Sequence, residues 1–385
     1  MASTNQKKTL RTFALASFLN DLGSDAIRPL WPLFVTSALG APATVLGLLD
    51  GLGELISYGS RMPAGLISDK FGKRKPLVWA GYLIAGLGRL GYALAPSVGW
   101  LFPSKAADRI GKIRDPPRDA LLADITAPSQ RGRAFGFLQA ADHLGATVGP
   151  LFGLLLFGLL GFRWTFILAA IPSLIAAVCV FVFVREKKPA HHLILADHYG
   201  TSFWRLALFS GLFGLGWISL SFMVLAAIDL QGQSIAWSPV LFFVMSLCAV
   251  ISSIIAGRIS DSVGRKKVLI ASYLAYALVP SGFFIAQYIP AQGAYGLGLS
   301  LFLFSLYGLH YGAMSTIQPA FISDLIPSPH RASAMGTFQT IFGFSALAAS
   351  ALAGALWDLF SPSAAFGAAA ILSIVATMIF AVRMR

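Results

Sequence analysis

"GLISDKFGKRKPLV" occupies residues 65–78 and returns as "GRISDSVGRKKVLI" at 257–270, an offset of 192. A second pair, "ADITAPSQRGRAFGFLQ" (123–139) and "SDLIPSPHRASAMGTFQ" (323–339), repeats at an offset of 200. It aligns Asp124, Arg131, Gly136 and Gln139 with Asp324, Arg331, Gly336 and Gln339. Both matches keep their order and nearly keep their spacing, so the chain reads as a duplication of one unit. Two parallel repeats about an axis along the membrane normal are one architecture of alternating-access transport.

The sequence around these motifs is membrane-like. Of 385 residues, 56% are apolar and only 12% charged, about half the usual charged share of a soluble domain. Apolar runs at 10–37, 77–95, 162–184 and 364–382 are long enough to cross a bilayer as helices. They do not alternate, which excludes a transmembrane β-barrel. The expected fold class is an all-α membrane protein of twelve spans, near 10–37, 43–67, 77–95, 100–123, 133–158, 163–184, 203–230, 237–257, 267–288, 295–322, 332–357 and 364–382. Residues 1–185 and 203–385 would form two six-helix bundles, joined by a cytoplasmic linker at 186–202. Cys179 and Cys248 fall within spans and read as packing residues. Met1–Arg11 is polar and basic and leads into a full-length span, so no cleavable signal is expected.

The net charge of +13 sits at span ends. Twenty Lys and Arg residues fall on the side of both termini and only Arg163 on the other. This places both termini in the cytoplasm by the positive-inside rule and removes nucleic acid as a partner.

"DRIGKIRDPPRD" (108–119) stands out against this background. At the offset of 200, Lys105–Asp119 overlays Ser305–Pro319, inside an apolar span. The charged stretch therefore belongs to span four, with a break expected at Pro116–Pro117.

It is part of a one-sided charge distribution. Asp21, Asp25, Arg28, Asp50, Glu54, Arg61, Arg89, Lys105, Asp108, Arg109, Lys112, Arg114, Asp115, Arg118, Asp119 and Asp142 lie within or at the ends of first-half spans, against only Asp229 and Asp358 in the second half. A charge near the bilayer centre costs at least ~2.5 kcal/mol unless paired or hydrated. The ionic chemistry is thus expected in the first half, and the second half would supply an aromatic wall from Trp217, Phe222, Tyr307, His310, Tyr311 and Gln318. Asp21, Asp25 and Arg28 share one face of span one, Asp50 and Glu54 one face of span two, and Lys105, Asp108, Arg109 and Lys112 one face of span four. A coupling proton would ride on Asp25 or Glu54, then on Asp21, Asp50 or Asp142. The competing structural role is ion pairing, such as Asp21 or Asp25 with Arg109 or Lys112. His143 and His310 read as packing residues. His191, His192, His198 and Asp197 read as a solvated linker. No phosphate-binding glycine loop and no nucleophile–base pair is present, so neither an ATP-driven pump nor an enzyme is expected, and no cofactor.

Over nearly its whole length the chain resembles the major facilitator superfamily. The two opening motifs are similar to its loop motif after spans two and eight, which implies that Asp69, Arg74, Asp261 and Arg265 latch the cytoplasmic gate; the break expected at Pro116–Pro117 would bring Arg118 and Asp119 toward it. "GFLQAADHLGATVGPLFG" (136–153) resembles the antiporter motif of span five, with Gly136, Gly145, Gly149, Pro150 and Gly153 in place and Leu154 replacing the last glycine. That resemblance implies export, with spans one and four lining the cavity. Small residues at four-residue spacing also permit close helix approach, and a proline bends the helix. "NDLGSDAIRPLWPLF", "GLLDGLGE" and "DRIGKIRDPPRDALLAD" look like a bacterial exporter subfamily, some of whose members are associated with nickel or other metal efflux. Arg28, Lys105 and the shortened "GKIR" (111–114) depart from that pattern.

The combined expectation is a monomeric, multi-pass transporter of a bacterial-type inner (plasma) membrane. Its partners would be a small-molecule or ion substrate, protons and the lipid bilayer, in proton-coupled export (antiport). A divalent-metal exporter would use Asp21, Asp25, Asp50, Glu54 and Asp142. An organic-anion importer would use Arg28, Lys105, Arg109 and Lys112. A lipophilic cation would use one carboxylate and the aromatic wall. A non-transporting receptor or assembly factor has no need of two gate motifs.

Overall fold

The computed structural model describes residues 4–186, 199–230, 238–289 and 293–384. Residues 187–198, with Lys187, Lys188, His191, His192, Asp197 and His198, and Arg385 lie outside the described residues. All regular elements within them are helical. Six helices are individually long and apolar enough to cross a membrane. The other crossings fall short because they are interrupted or carry charge.

Span one is Thr4–Ile27, extended by a turn, a short helix Trp31–Leu33 and a π turn Phe34–Ala38. Span two is Ala43–Gly59 joined at Ser60 to Arg61–Phe71, and span three is Lys75–Ala93. Spans five and six lie in the continuous stretch Arg131–Phe183, divided at Gly161. Its φ of 73° is a left-handed conformation that glycine adopts without strain. Span seven is Gly200–Gly214 and Leu220–Leu230, unwound between them. Spans eight to twelve are Ser238–Val263, Arg265–Ala286, Ala294–Leu325, Arg331–Leu359 and Pro362–Arg383.

Span four shows how "DRIGKIRDPPRD" folds. Helix Val98–Ile110 tightens into a 3-10 turn at Gly111–Arg114 and resumes as Asp115–Ile125. The turn lets Gly111 sit against Ala85, where a Cβ would lie 2.6 Å from the Ala85 Cβ. The expected break at Pro116–Pro117 is therefore displaced toward the start of the stretch. The prolines occupy the first turn of the resumed helix, where a missing N–H leaves no bond unmade. Residues 115–123 are all buried, so the stretch stays inside the bundle.

One face gathers both chain ends and the repeated loops. Lys8 lies 5.1 Å from the Phe183 ring centroid. Glu186 accepts from the Arg74 and Lys75 N–H groups at 2.7 and 3.0 Å. Lys266 donates to the Ala381 carbonyl at 2.8 Å. We call this the terminal face. The two halves meet through span five against span eight and span two against span eleven. The approach is backbone-close: a Cβ on Gly65 would lie 2.8 Å from the Ser333 Cα, so larger residues there would force the halves apart.

Candidate functional site

At the terminal face the duplication becomes a pair of matching polar lattices. In the first, Arg74 pairs with Asp124, reaches Asp69 at 3.5 Å and donates to the Ser328 carbonyl of the other half at 2.5 Å. Arg331 reaches Asp124 at 2.5 Å, and Asp69 accepts from the Ser333 N–H at 2.6 Å. In the second, Arg265 pairs with Asp261 at 2.6 Å and Asp324 at 3.0 Å, and donates to the Pro128 carbonyl at 3.3 Å. Arg131 reaches Asp324 at 2.7 Å, and Asp261 accepts from the Gly132 and Arg133 N–H groups at 2.9 and 3.0 Å. Asp69 and Asp261 thus each cap the N-terminus of a span in the opposite half, where free N–H groups and the helix dipole favour a carboxylate. Asp69 meets Arg74 in the first lattice, and Asp261 meets Arg265 in the second. Asp124, Arg131, Asp324 and Arg331 complete the lattices. The repeat had aligned these four, but helical spacing gives no contact between different helices.

Each charged hydrogen bond of this kind contributes about 1.5–3 kcal/mol. The double change Asp124→Asn and Asp324→Asn is therefore expected to raise the terminal-side labelling rate of a cysteine placed at Ser315, in a chain lacking Cys179 and Cys248, by at least about tenfold. An unchanged rate would show that the lattices do not hold that face shut.

Farther in, Arg118 and Asp119 make no contact with these lattices. Arg118 donates to Asp119 at 3.0 Å and to Ser17 at 2.9 Å, and stands 3.7 Å from Asp142. Asp119 lies 3.4 Å from the Gln339 amide of the other half. The continued helix through Pro116 and Pro117 holds both residues inside the bundle. The other Asp142 oxygen, Oδ1, is buried without a hydrogen-bond partner. Beside it, His143 meets Ser315 across the halves at 3.2 Å. Thr340 also donates to the Tyr58 carbonyl across the halves at 2.8 Å.

The remaining first-half charges pair differently from the expectation. Asp25 pairs with Arg28 of its own helix at 3.2 Å. Asp50 takes Lys105 at 2.8 Å and the Trp31 indole N–H at 3.1 Å. Glu54 faces Arg109 at 3.8 Å. Asp108 takes Arg89 at 3.0 Å, and Asp115 lies 3.6 Å from Arg61 and from Arg114. Asp21 accepts from Asn20 at 2.8 Å. Neither Asp21 nor Lys112 has an ion pair within 4 Å among the described residues, and Asp21 and Asp25 do not pair with Arg109 or Lys112. Helical spacing sets which residues share a face, whereas the register between helices chooses their partners. The intramembrane set holds eight acids and eight bases, and span four brings Lys105, Arg109 and Arg118 to Asp50, Glu54 and Asp142 of spans two and five. No three His, Cys, Asp or Glu residues converge on a possible metal site among the described residues.

The second half presents aromatic rings. Trp217 stacks on Tyr276 at 5.1 Å and meets Tyr307 at 5.7 Å, and Tyr307 stacks on Tyr311 at 6.1 Å. Tyr311 is exposed, whereas His310 and Gln318 are buried. His310 bonds to Ser272 and Gln318 to Tyr273, so both pack rather than line.

The glycines of span five fit against span one behind its acids. A Cβ on Gly149 would lie 2.9 Å from the Asp25 Cβ, and one on Gly145 3.2 Å from the Asp21 Cβ. Gly153 meets the Ala26 backbone, and Pro150 lies between these contacts. Gly149→Val should overpack the contact and destabilise the protein by about 1–3 kcal/mol, read as a lower unfolding midpoint in detergent. An unchanged midpoint would contradict the close approach.

Comparison with known proteins agrees with this architecture. A family model described as Major Facilitator Superfamily matches residues 13–230 and 206–385. An uncharacterised MFS-type transporter of Methanocaldococcus jannaschii is 32% identical over 97% of this chain and 94% of its own. The multidrug resistance protein MdtH of Yersinia pestis is 34% identical over 40% of this chain and 39% of its own. The human organic anion transporter MFSD10 has the same fold, with a TM-score of 0.80 at 18% identity over 98% of this chain and all of that one. With the family model matching both halves and a relative 32% identical along nearly the full length, the chain belongs to the Major Facilitator Superfamily and is a multi-pass membrane transporter, not an enzyme.

Proposed function

We propose that this transporter exports a small organic solute in exchange for inward-moving protons, and that Asp142 carries the proton. The observation that carries the reading is the sharing of Arg118. One guanidinium stands between two carboxylates; Asp119 takes its hydrogen bonds, and Asp142 is left at 3.7 Å with a bare buried oxygen. One cation balances one carboxylate, so the second gains most from a proton. Of the first choices from sequence, Asp25 has Arg28 at 3.2 Å, and Glu54, 41% exposed, faces Arg109 at 3.8 Å.

The joined terminal face supports a conformation open to the opposite side, and the basic terminal loops support a cytoplasmic terminal face. Protonation of Asp142 from outside would leave Arg118 to Asp119 alone and loosen the Asp119–Gln339 contact. The terminal face would then open and release the proton inside. Arg28, Lys105 and Arg109 each face a carboxylate, which does not favour an anion importer, and the dispersed carboxylates do not favour a metal cargo.

The test uses everted membrane vesicles energised by respiration, with a pH-sensitive dye. A panel of organic zwitterions, cations, anions and divalent metals is added. The expected result is that at least one organic solute dissipates the pH gradient in vesicles containing the protein. Solute movement without proton movement would refute the coupling.

A further inference from the structure

We propose that the cargo is a zwitterion on an apolar body, with its cationic group on Glu54 and its anionic group on Arg109. The proposal rests on the transport reading above and names the cargo class.

Most first-half ion pairs near this point are closed by hydrogen bonds. Asp50 holds Lys105 at 2.8 Å and Trp31 at 3.1 Å, and Asp108 holds Arg89 at 3.0 Å. Glu54 and Arg109 are different. Their closest atoms are 3.8 Å apart, and their side chains are 41% and 30% exposed. No hydrogen bond joins them, and the buried Arg109 Nε makes no hydrogen bond, with Asp108, already held by Arg89, 3.8 Å away. Gly53 contributes to the arrangement, because a Cβ there would lie 3.3 Å from the Arg109 Cγ. Its absence lets span four lie against span two, so Arg109 stands beside Glu54 with unfilled bonding capacity.

A carboxylate and a guanidinium side by side, both short of partners, form a receptor for a ligand carrying the opposite charges. A cation alone would engage Glu54 and leave Arg109 desolvated and unmatched. An anion alone would do the reverse. Leaving one such group unpaired costs more than its own bond contributes, which makes the site selective. The adjoining surface is aromatic. Tyr58 follows Glu54 by one turn on the same face. Tyr311, whose ring lies 5.1 Å from that of His143 across the halves, continues into Tyr307 and Trp217. A flat or extended apolar body would rest there.

Amphipathic zwitterions and zwitterionic lipids share this chemistry, and the test separates them. Purified full-length protein in maltoside micelles, at fixed pH and without a gradient, is titrated with L-tryptophan, tryptamine, indole-3-propionate and oleoyl lysophosphatidylethanolamine while its unfolding temperature is followed. At least one zwitterion should stabilise saturably, with an apparent Kd lower by about tenfold or more than tryptamine and indole-3-propionate. Tryptophan as the better ligand assigns a soluble cargo, and the lysolipid a membrane-derived one. Glu54→Gln and Arg109→Gln should each abolish the preference. The swapped pair Glu54→Arg with Arg109→Glu keeps both charges and should keep it. The proposal is overturned if neither zwitterion binds, if a singly charged analogue binds as tightly, or if the preference survives in both single variants. Because no proton gradient is present and Asp142 is intact, failure of proton coupling leaves this readout unchanged.

Discussion

Asp142→Asn is expected to abolish cargo-driven proton movement while leaving the protein folded. The amide matches the carboxyl in size and stays beside Arg118, so packing is preserved. It has no titratable proton and mimics the protonated state at every pH. In the dye-loaded vesicles the variant should leave the pH gradient intact on cargo addition, with any remaining cargo movement independent of pH. Asp25→Asn should retain proton coupling, because Asp25 already has Arg28 at 3.2 Å. Gradient dissipation at the wild-type rate in Asp142→Asn would remove Asp142 from the mechanism.

Arg89→Met is expected to cause the largest loss of stability. Arg89 is 3% exposed and joins four spans. It donates to Asp108 at 3.0 Å, the Asn20 carbonyl at 3.0 Å, the Asn20 side chain at 3.2 Å and Ser173. Removing one partner of a buried pair typically costs about 3–5 kcal/mol, because the other charge is left behind. The low end of that range is expected here, since Arg109 remains 3.8 Å from Asp108. Adding Asp108→Asn should recover part of the loss, because the amide keeps the Tyr92 hydroxyl, 3.3 Å away, and no longer needs a cation. Denaturant unfolding in mixed micelles measures both. A single variant within about 0.5 kcal/mol of wild type, the range of an ordinary surface change, would show that this network is not structural.

The helical fold and its duplication were legible because they rest on features local to the chain. Apolar length marks a crossing, and like motifs at a fixed offset mark a repeat. The glycine stripe was legible too, since four-residue spacing places Gly145, Gly149 and Gly153 on one face whatever surrounds them. Ion-pair partners were not. Asp25 finding Arg28 rather than Arg109, and Lys105 finding Asp50, depend on how far one helix slides along another. Contacts such as Gly53 against Arg109 set that slide. The prolines at 116 and 117 were misleading for a related reason. A proline pair ends a helix from within but is at home in a first turn, and only the 3-10 turn before it tells which applies. The lattice partners Asp124, Arg131, Asp324 and Arg331 were visible as aligned residues, yet their meeting with Arg74 and Arg265 is a property of the folded pair of halves.

The central claim, that a proton on Asp142 controls the seam between the halves, is tested most directly by a distance measurement across the terminal face. Spin labels at Lys73→Cys and Ser262→Cys, in a chain with Cys179 and Cys248 replaced by serine, report the separation of the two repeated loops. Acidification is expected to shift the wild-type distribution toward the long, terminally open distance. The Asp142→Asn protein should hold that long distance at all pH values. A wild-type distribution that ignores pH, or an Asp142→Asn distribution that follows pH as the wild type does, would contradict the claim.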